Sequence, residues 1–403
     1  MQLIDIWPPF PIILRDRNIL TKPKYYDFDI AMYRARVREI DLGLNNWLLE
    51  QLDSTMQEPL PALTRLKLVL DRNRYSAPSL SDGFLGGSAP HLRSLELHSI
   101  EFPALPKLLL SATDLVDLAL RKIPNSGYIS PETLVTCLAV LANLKSLTIQ
   151  FLIPISHTNR DRRNPRSPTR TALSAFTHFN FQGPSEYLED FVAMIDAPLL
   201  DSIYITCMPI SEESITNFSQ LGRFMGRTAT FQELNEVHVS FDWAEVEVNA
   251  LPPAPTHWET LNTRSKFRIS CKVSGKELRS VARILAWFFP SICTVEHLYL
   301  SYPDYLMTDW INVVESVQRL EIFRPFFAVK NLYLCNKLAQ CIAPALQELV
   351  WDAESVGNVL PTLKSIFLED LERSGPVQEA IGQFVAARRL SGHPVTVSPW
   401  NRT

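Results

Sequence analysis

A short apolar template returns along most of this chain: three anchors, the first two separated by two residues and the last two by one. LTRLKL places the anchors at Leu63, Leu66 and Leu68, LRSLEL at Leu92, Leu95 and Leu97, and LVDLAL at Leu115, Leu118 and Leu120. Further copies begin at Val37, Leu144, Phe176, Leu200, Leu234, Val295, Val329, Leu346 and Leu363, twelve in all. With about three residues in ten being Leu, Ile, Val or Phe, so loose a template should recur about a dozen times by chance. Context is what discriminates. Pro61, Pro90, Pro198, Pro344 and Pro361 each stand two residues before a first anchor. A proline there fixes φ and lacks an N–H, so it ends a helix just before the chain extends into a strand.

Between these strands lie segments with helical spacing. In SPETLVTCLAVLANL, Ser130 can cap, Pro131 suits the first turn and Glu132 faces the positive helix end. Others start at Ser185, Ser211, Lys276, Thr308 and Val377, and VQRLEIF at Val317 continues the stripe from Trp310 and reads as helix. Alternation of strand and helix favours parallel strands. Second anchors are spaced by 17 to 61 residues, mostly near leucine-rich-repeat length but uneven. The widest gap is expected to hide a weak strand at FRISCKV from Phe267. The expected fold is α/β: an irregular leucine-rich-repeat solenoid, or horseshoe, of parallel strands with helices on the convex side. Residues 1–30 form a proline-rich lead-in, 31–375 the array with a basic loop at 156–171 and a proline-rich loop at 249–265, and 376–403 a capping helix and tail.

Composition narrows function. Of 403 residues, 46% are hydrophobic and 20% charged, enough apolar area for a sizeable core. Thirty-nine basic against 43 acidic residues, a net charge of -4, argue against a nucleic-acid surface. The N-terminal MQLIDIWPPFPIILRDR lacks a basic n-region and is broken by Pro8, Pro9 and Pro11, so it does not read as a signal peptide. No segment reaches the roughly 18 to 20 apolar residues of a membrane span, and the chain is expected in cytoplasm or nucleus. Cys137, Cys207, Cys271, Cys293, Cys335 and Cys341 contain no CxxC pair and read as buried free thiols, neither disulfide nor zinc ligands.

No nucleophile elbow, phosphate loop, paired metal histidines or EF-hand is present, so no catalytic residue, metal or cofactor is expected and the chain reads as a non-enzyme. The glycines of FLGGSAP at Gly86 and Gly87 lead into a strand and read as a turn. His178, His238 and His297 read as solvated or hydrogen-bonded strand histidines. Five arginines in HTNRDRRNPRSPTRT, Arg160 to Arg170, read as a solvated loop.

Strand alternation puts the residues between and after the last anchors on the open face. These are Lys67, Glu96, His98, Arg121, Gln150, Asn180, Tyr204, His238, Tyr299 and Tyr333, a polar set with tyrosines. Tyrosine and arginine are favoured at binding hot spots, although any repeat also needs outward polar residues for solubility. The set is the expected surface for a protein partner.

Several longer stretches resemble the repeat region of fungal F-box and leucine-rich-repeat proteins, among them FLGGSAPHLRSLEL, FPALPKLLLSATDLVDLALRKIP, PSEYLEDFVAMIDAPLLDSIYI and SGPVQEAIGQFVAARRLSGHPV. The likeness runs from about residue 30 onward. It implies a substrate receptor that docks on an Skp-type adaptor and cullin of a ubiquitin ligase and holds a protein partner on its repeats. No LPxE-plus-helices box precedes the repeats, so the expectation is an F-box-like receptor with that box missing or degenerate. The alternative is a stand-alone repeat scaffold or sensor.

Overall fold

Eleven of the twelve template copies lie on strands, and in ten of these the second and third anchors are both buried, Leu42 of the first copy being half-buried. The computed structural model describes residues 10–16, 33–71, 79–152, 170–208, 218–232, 234–241, 245–251, 265–272, 294–302, 320, 323, 325–348, 350, 359–369 and 375–400. The chain divides into two compact units, Met1–Leu200 and Asp201–Thr403.

The first unit contains β1 (Ile12–Asp16), β2 (Val37–Leu44), β3 (Arg65–Leu70), β4 (Ser94–His98), β5 (Asp117–Ile123), β6 (Ser146–Phe151), β7 (Thr171–Ala172), β8 (His178–Gly183) and β9 (Ile195–Asp196). β1 to β6 and then β8 pair in that order, every pair parallel, while β7 and β9 form a separate parallel ribbon. Connections carry α1 (Asn46–Thr55), α2 (Leu105–Ser111), α3 (Pro131–Leu138) and α4 (Ser185–Ala193). α3 starts as the sequence predicts: Ser130 Oγ accepts from the Thr133 amide at 3.2 Å, and Pro131 takes the first turn, where its missing N–H has no bond to lose.

The anchors meet in two apolar ladders. Leu66, Leu95, Leu118, Leu147 and Phe179 are in register, as are Leu68, Leu97, Leu120, Ile149 and Phe181, and all are buried. Where phenylalanine replaces leucine the core becomes aromatic, with Phe151, Phe181 and Tyr187 within 4.9 to 6.3 Å of one another. Gly183 ends β8 against this cluster. A Cβ there would lie 2.5 Å from Phe151 Cδ2 and 3.1 Å from Phe181 Cζ. Gly183→Ala should therefore lower stability by about 1–3 kcal/mol through overpacking, and adding Phe151→Leu should restore part of it; urea unfolding of both variants checks this. The Phe84–Gly87 turn has positive φ at Leu85, Gly86 and Gly87 and packs on Pro59, in keeping with a turn.

The second unit contains β10 (Ser202–Cys207), α5 (Ser219–Arg227), β11 (Glu236–Phe241), β12 (Glu245–Leu251), β13 (Phe267–Lys272), β14 (His297–Ser301), β15 (Asn331–Leu334), α6 (Asn336–Glu348), β16 (Ser365–Glu369), α7 (Pro376–Leu390) and β17 (Thr396–Trp400). Here the expectation of parallel strands in chain order needs correction. The order is β10-β13-β12-β11-β14-β15-β16-β17, and β12 is antiparallel to both β11 and β13. Residues 249–251, expected to open a proline-rich loop, instead end β12. Its EVEVNA stretch alternates strictly, burying Val246, Val248 and Ala250, which is the period of a half-buried strand. The expected strand at Phe267 is present as β13, and among the described residues the wide gap thus holds two strands.

Three more boundaries differ. The copy from Leu346 belongs to α6 through Glu348, because Leu338, Ile342, Ala345 and Leu346 are buried at helical spacing and Pro344 lies within that helix. The lead-in supplies β1, and the tail supplies β17, parallel to β16. α7 is held by Arg388, fully buried, whose Nη2 donates to the carbonyls of Leu360 and Pro361 at 3.3 Å each; burial lowers its pKa. Thr171, the last residue of the expected basic loop, is in β7. The rest of that loop up to 169, and the helices expected from Lys276 and Thr308 apart from Leu320 and Phe323, lie outside the described residues, as do Ser211 to Asn217 and Cys293. The other five cysteines are buried and in no disulfide. Among the described residues no helix is long and apolar enough to cross a membrane.

Candidate functional site

Parallel strands in register stack equivalent side chains about 4.8 Å apart, so a single outward position becomes a row across the sheet. In the first unit one such row runs Arg15, Asp41, Lys67, Glu96, Ala119, Thr148 and Asn180. Lys67 Nζ donates to Glu96 Oε2 at 2.7 Å and Arg121 Nε to Glu96 Oε1 at 3.2 Å. Three of the expected partner-binding residues thus pair internally, two cations on one carboxylate, in an arrangement of mostly structural use worth about 1 kcal/mol per pair or less. Arg121 reaches Glu96 diagonally from the next row, and beyond it β5 is bulged against β6, with Lys122 at φ +49. Gln150 pairs with Gln182 in another row, away from Asn180.

His98 lies beside Arg121 in register. Burial, and next the charge of Lys122, lower its pKa. The folded state therefore resists a proton that the unfolded state accepts near pH 6.5, and the stability His98 provides above that pH is lost as pH falls through it toward the folded value. Unfolding midpoints at pH 7.5 and 5.5 should show a larger loss for the natural chain than for His98→Gln.

A shallow groove of about 440 Å³ at the start of the strands is lined by Arg38, Thr64, His91, Arg93 and Asp114. His91 Nδ1 is 3.3 Å from Asp114 Oδ2 across it.

The second unit arranges its row differently. Tyr204, Arg268, Asn249, His238, Tyr299, Tyr333, Phe367 and Ser398 follow one another strand by strand. From His238 onward the rings stack. Centroids are 4.1 Å apart for His238 and Tyr299 at 1°, 4.0 Å for Tyr299 and Tyr333 at 9°, and 4.5 Å for Tyr333 and Phe367 at 9°. The column is half-buried along its length. Burial, and next the neighbouring Tyr333, push the Tyr299 hydroxyl well above its ordinary pKa; burial likewise raises that of Tyr333. Both hydroxyls remain neutral at physiological pH; they hydrogen-bond to each other, and Tyr333 Oη lies 3.5 Å from His297 Nδ1.

At the other end the row is polar. Arg268 Nη2 lies 2.9 Å from Glu247 Oε1 and its Nε donates to Asn249 Oδ1 at 3.0 Å. Tyr204 is tied down separately, its hydroxyl donating to the Ser265 carbonyl at 3.1 Å. His238 Nε2 is 3.7 Å from Glu236 Oε2, beyond hydrogen-bond reach. His297 sits in the adjacent row with Nδ1 3.3 Å from Asn331 Nδ2, and His178 is exposed with Nδ1 2.8 Å from Thr177 Oγ1.

Of the ten expected residues, the structure joins His238, Tyr299 and Tyr333 in one stack, with Tyr204 in line, and Lys67, Glu96 and Arg121 in one ion chain. Besides Ser398, four side chains in or against the second row escape the sequence reading. Phe367 occupies the same template position as Tyr299 and Tyr333 and is legible from LKSIFL, where it is an apolar ring on an otherwise polar face. Asn249 and Arg268 lie on strands whose order the sequence does not display. The fourth is Trp400, the last residue of β17, set against both tyrosines.

Among the described residues no group of three or more His, Cys, Asp or Glu could hold a metal ion. No protein-family model and no curated protein matches the chain. Among solved structures it is similar to the leucine-rich repeat-containing protein LegL7 from Legionella pneumophila, over 96% of this chain and 90% of that one, with 13% identity and a TM-score of 0.30, a likeness too loose to bear on function.

Proposed function

We propose that this chain is a non-enzymatic recognition module that binds a protein partner through the aromatic row of its second unit. The observation that carries the reading is the four-ring stack from His238 to Phe367. Stacking fixes each ring before any partner arrives, so little side-chain freedom remains to be lost on binding. Half-buried tyrosines with neutral hydroxyls combine apolar area with hydrogen-bond donors, the chemistry enriched at interface hot spots. The ion chain of the first unit, by contrast, satisfies itself internally.

The resemblance of the repeats to fungal F-box proteins supports a finer reading, that the partner is a substrate held for an Skp-type adaptor and cullin. The test is capture from fungal lysate by the full chain and by Tyr299→Leu/Tyr333→Leu, read by mass spectrometry. Partners held by the natural chain and lost by the double variant are expected. Adaptor and cullin retained by both would support the receptor reading, and their absence the stand-alone scaffold. Equal capture by both chains would overturn the aromatic row as the binding surface, and reproducible turnover in a hydrolase screen, abolished by a point substitution, would overturn the non-enzymatic reading.

A further inference from the structure

Trp400 ends β17, the strand beside β16, yet its indole is folded back over the stack. Its centroid is 5.6 Å from Tyr333 and 5.9 Å from Tyr299, at interplanar angles of 68° and 59°. Those tyrosines stand on β15 and β14, two and three strands away, which is about 10 and 14 Å of sheet. The reach has a chemical reason. Stacking turns the negative faces of the tyrosines toward one another and leaves their positive edges outward, and an aromatic face prefers such an edge.

We propose that the Tyr299–Tyr333 edge is a receptor site for a single aromatic side chain, filled in cis by Trp400 and opened to an aromatic residue of a partner's extended segment when Trp400 leaves. The seat is specified by both tyrosines at once, since the indole contacts each. Release is cheap in structural terms: no residue of β17 from Thr396 to Trp400 is fully buried, and within the second unit the strand pairs with β16 alone. Segments with few buried contacts open at low free energy. The proposal rests on the recognition reading for its biological use, but its chemistry can be tested without a partner.

The probe is indole itself, titrated into the full chain carrying Trp400→Gly and followed by aromatic proton shifts. Saturable binding at least ten-fold tighter than to the natural chain is expected, and it should disappear when Tyr333→Leu is added. No saturable binding, or equal binding to the natural chain, overturns the proposal. Should Trp400→Gly not fold, 5-fluorotryptophan is incorporated into the natural chain and the fluorine signal of Trp400 assigned by its loss in Trp400→Phe. That signal should shift when Tyr333 becomes Leu; an unmoved signal overturns the proposal. Failure of the indole titration leaves partner capture standing, whereas loss of partner capture with indole binding intact strikes the recognition reading alone.

Discussion

Replacing Phe179 with alanine should lower the unfolding free energy by about 3–5 kcal/mol, the range for deleting a fully buried aromatic ring. Phe179 is 0% exposed and its ring lies 6.0 Å from Phe176, 6.3 Å from Phe181 and 5.4 Å from Phe191. It is also a rung of the ladder that passes from Leu147 of β6 into β8. The vacated volume is lined by three buried rings, and Phe181 among them is held by Phe151 and Tyr187, so little of it can collapse and the cost belongs near the top of the range. Leu97→Ala, which deletes a smaller anchor, should cost about 2–5 kcal/mol on the same grounds. Gln182→Ala on the opposite face of β8 should stay within about 0.5 kcal/mol. Urea unfolding checks all three, and a loss under 1 kcal/mol at Phe179 would mean that the aromatic core repacks freely.

Much of this architecture was legible because two independent signals agreed. At Pro61, Pro90, Pro198 and Pro361 a proline and an apolar template coincide, and each precedes a strand. At Pro344 they coincide as well, yet α6 runs through the proline and the first anchor, since Leu338, Ile342 and Leu346 sit at helical spacing and tertiary burial outweighs one missing backbone bond. The pairing order β10-β13-β12-β11 was not legible. Alternation in Val246, Val248 and Ala250 announces a strand but says nothing of its neighbour, because pairing of non-consecutive strands is decided by the sheet and not by local pattern. The site divides the same way. His238, Tyr299 and Tyr333 follow from alternation alone, while Arg268 and Asn249 enter their row only through the antiparallel insertion. Trp400 enters through a tail whose TVSPW shows little apolar periodicity.

Tyr333→Leu should weaken capture of the partner by about 30-fold, near 2 kcal/mol, the threshold for a hot-spot residue. Tyr333, like Tyr299, has a stacked ring on each side and Trp400 against it, and its loss frees the Tyr299 and Phe367 rings at once. Leucine keeps most of the apolar area. The folding cost then reduces to the ring-ring terms, about 0.5–1.5 kcal/mol for each aromatic pair, and an unfolding curve separates it from the binding loss. Glu96→Gln supplies the contrast in the first unit. It breaks the bridge between Lys67 and Arg121 and exposes two cations to a partner, so a recognition surface built on that row would respond to it strongly. Affinity measured for the two variants against one captured partner decides between the rows. Loss at Tyr333 with Glu96→Gln near neutral places recognition on the rings, whose half-buried stack holds in place an apolar area that the ion chain lacks. Loss at Glu96 alone would move the surface to the first unit and reduce the aromatic column to a device that holds β11, β14, β15 and β16 in register.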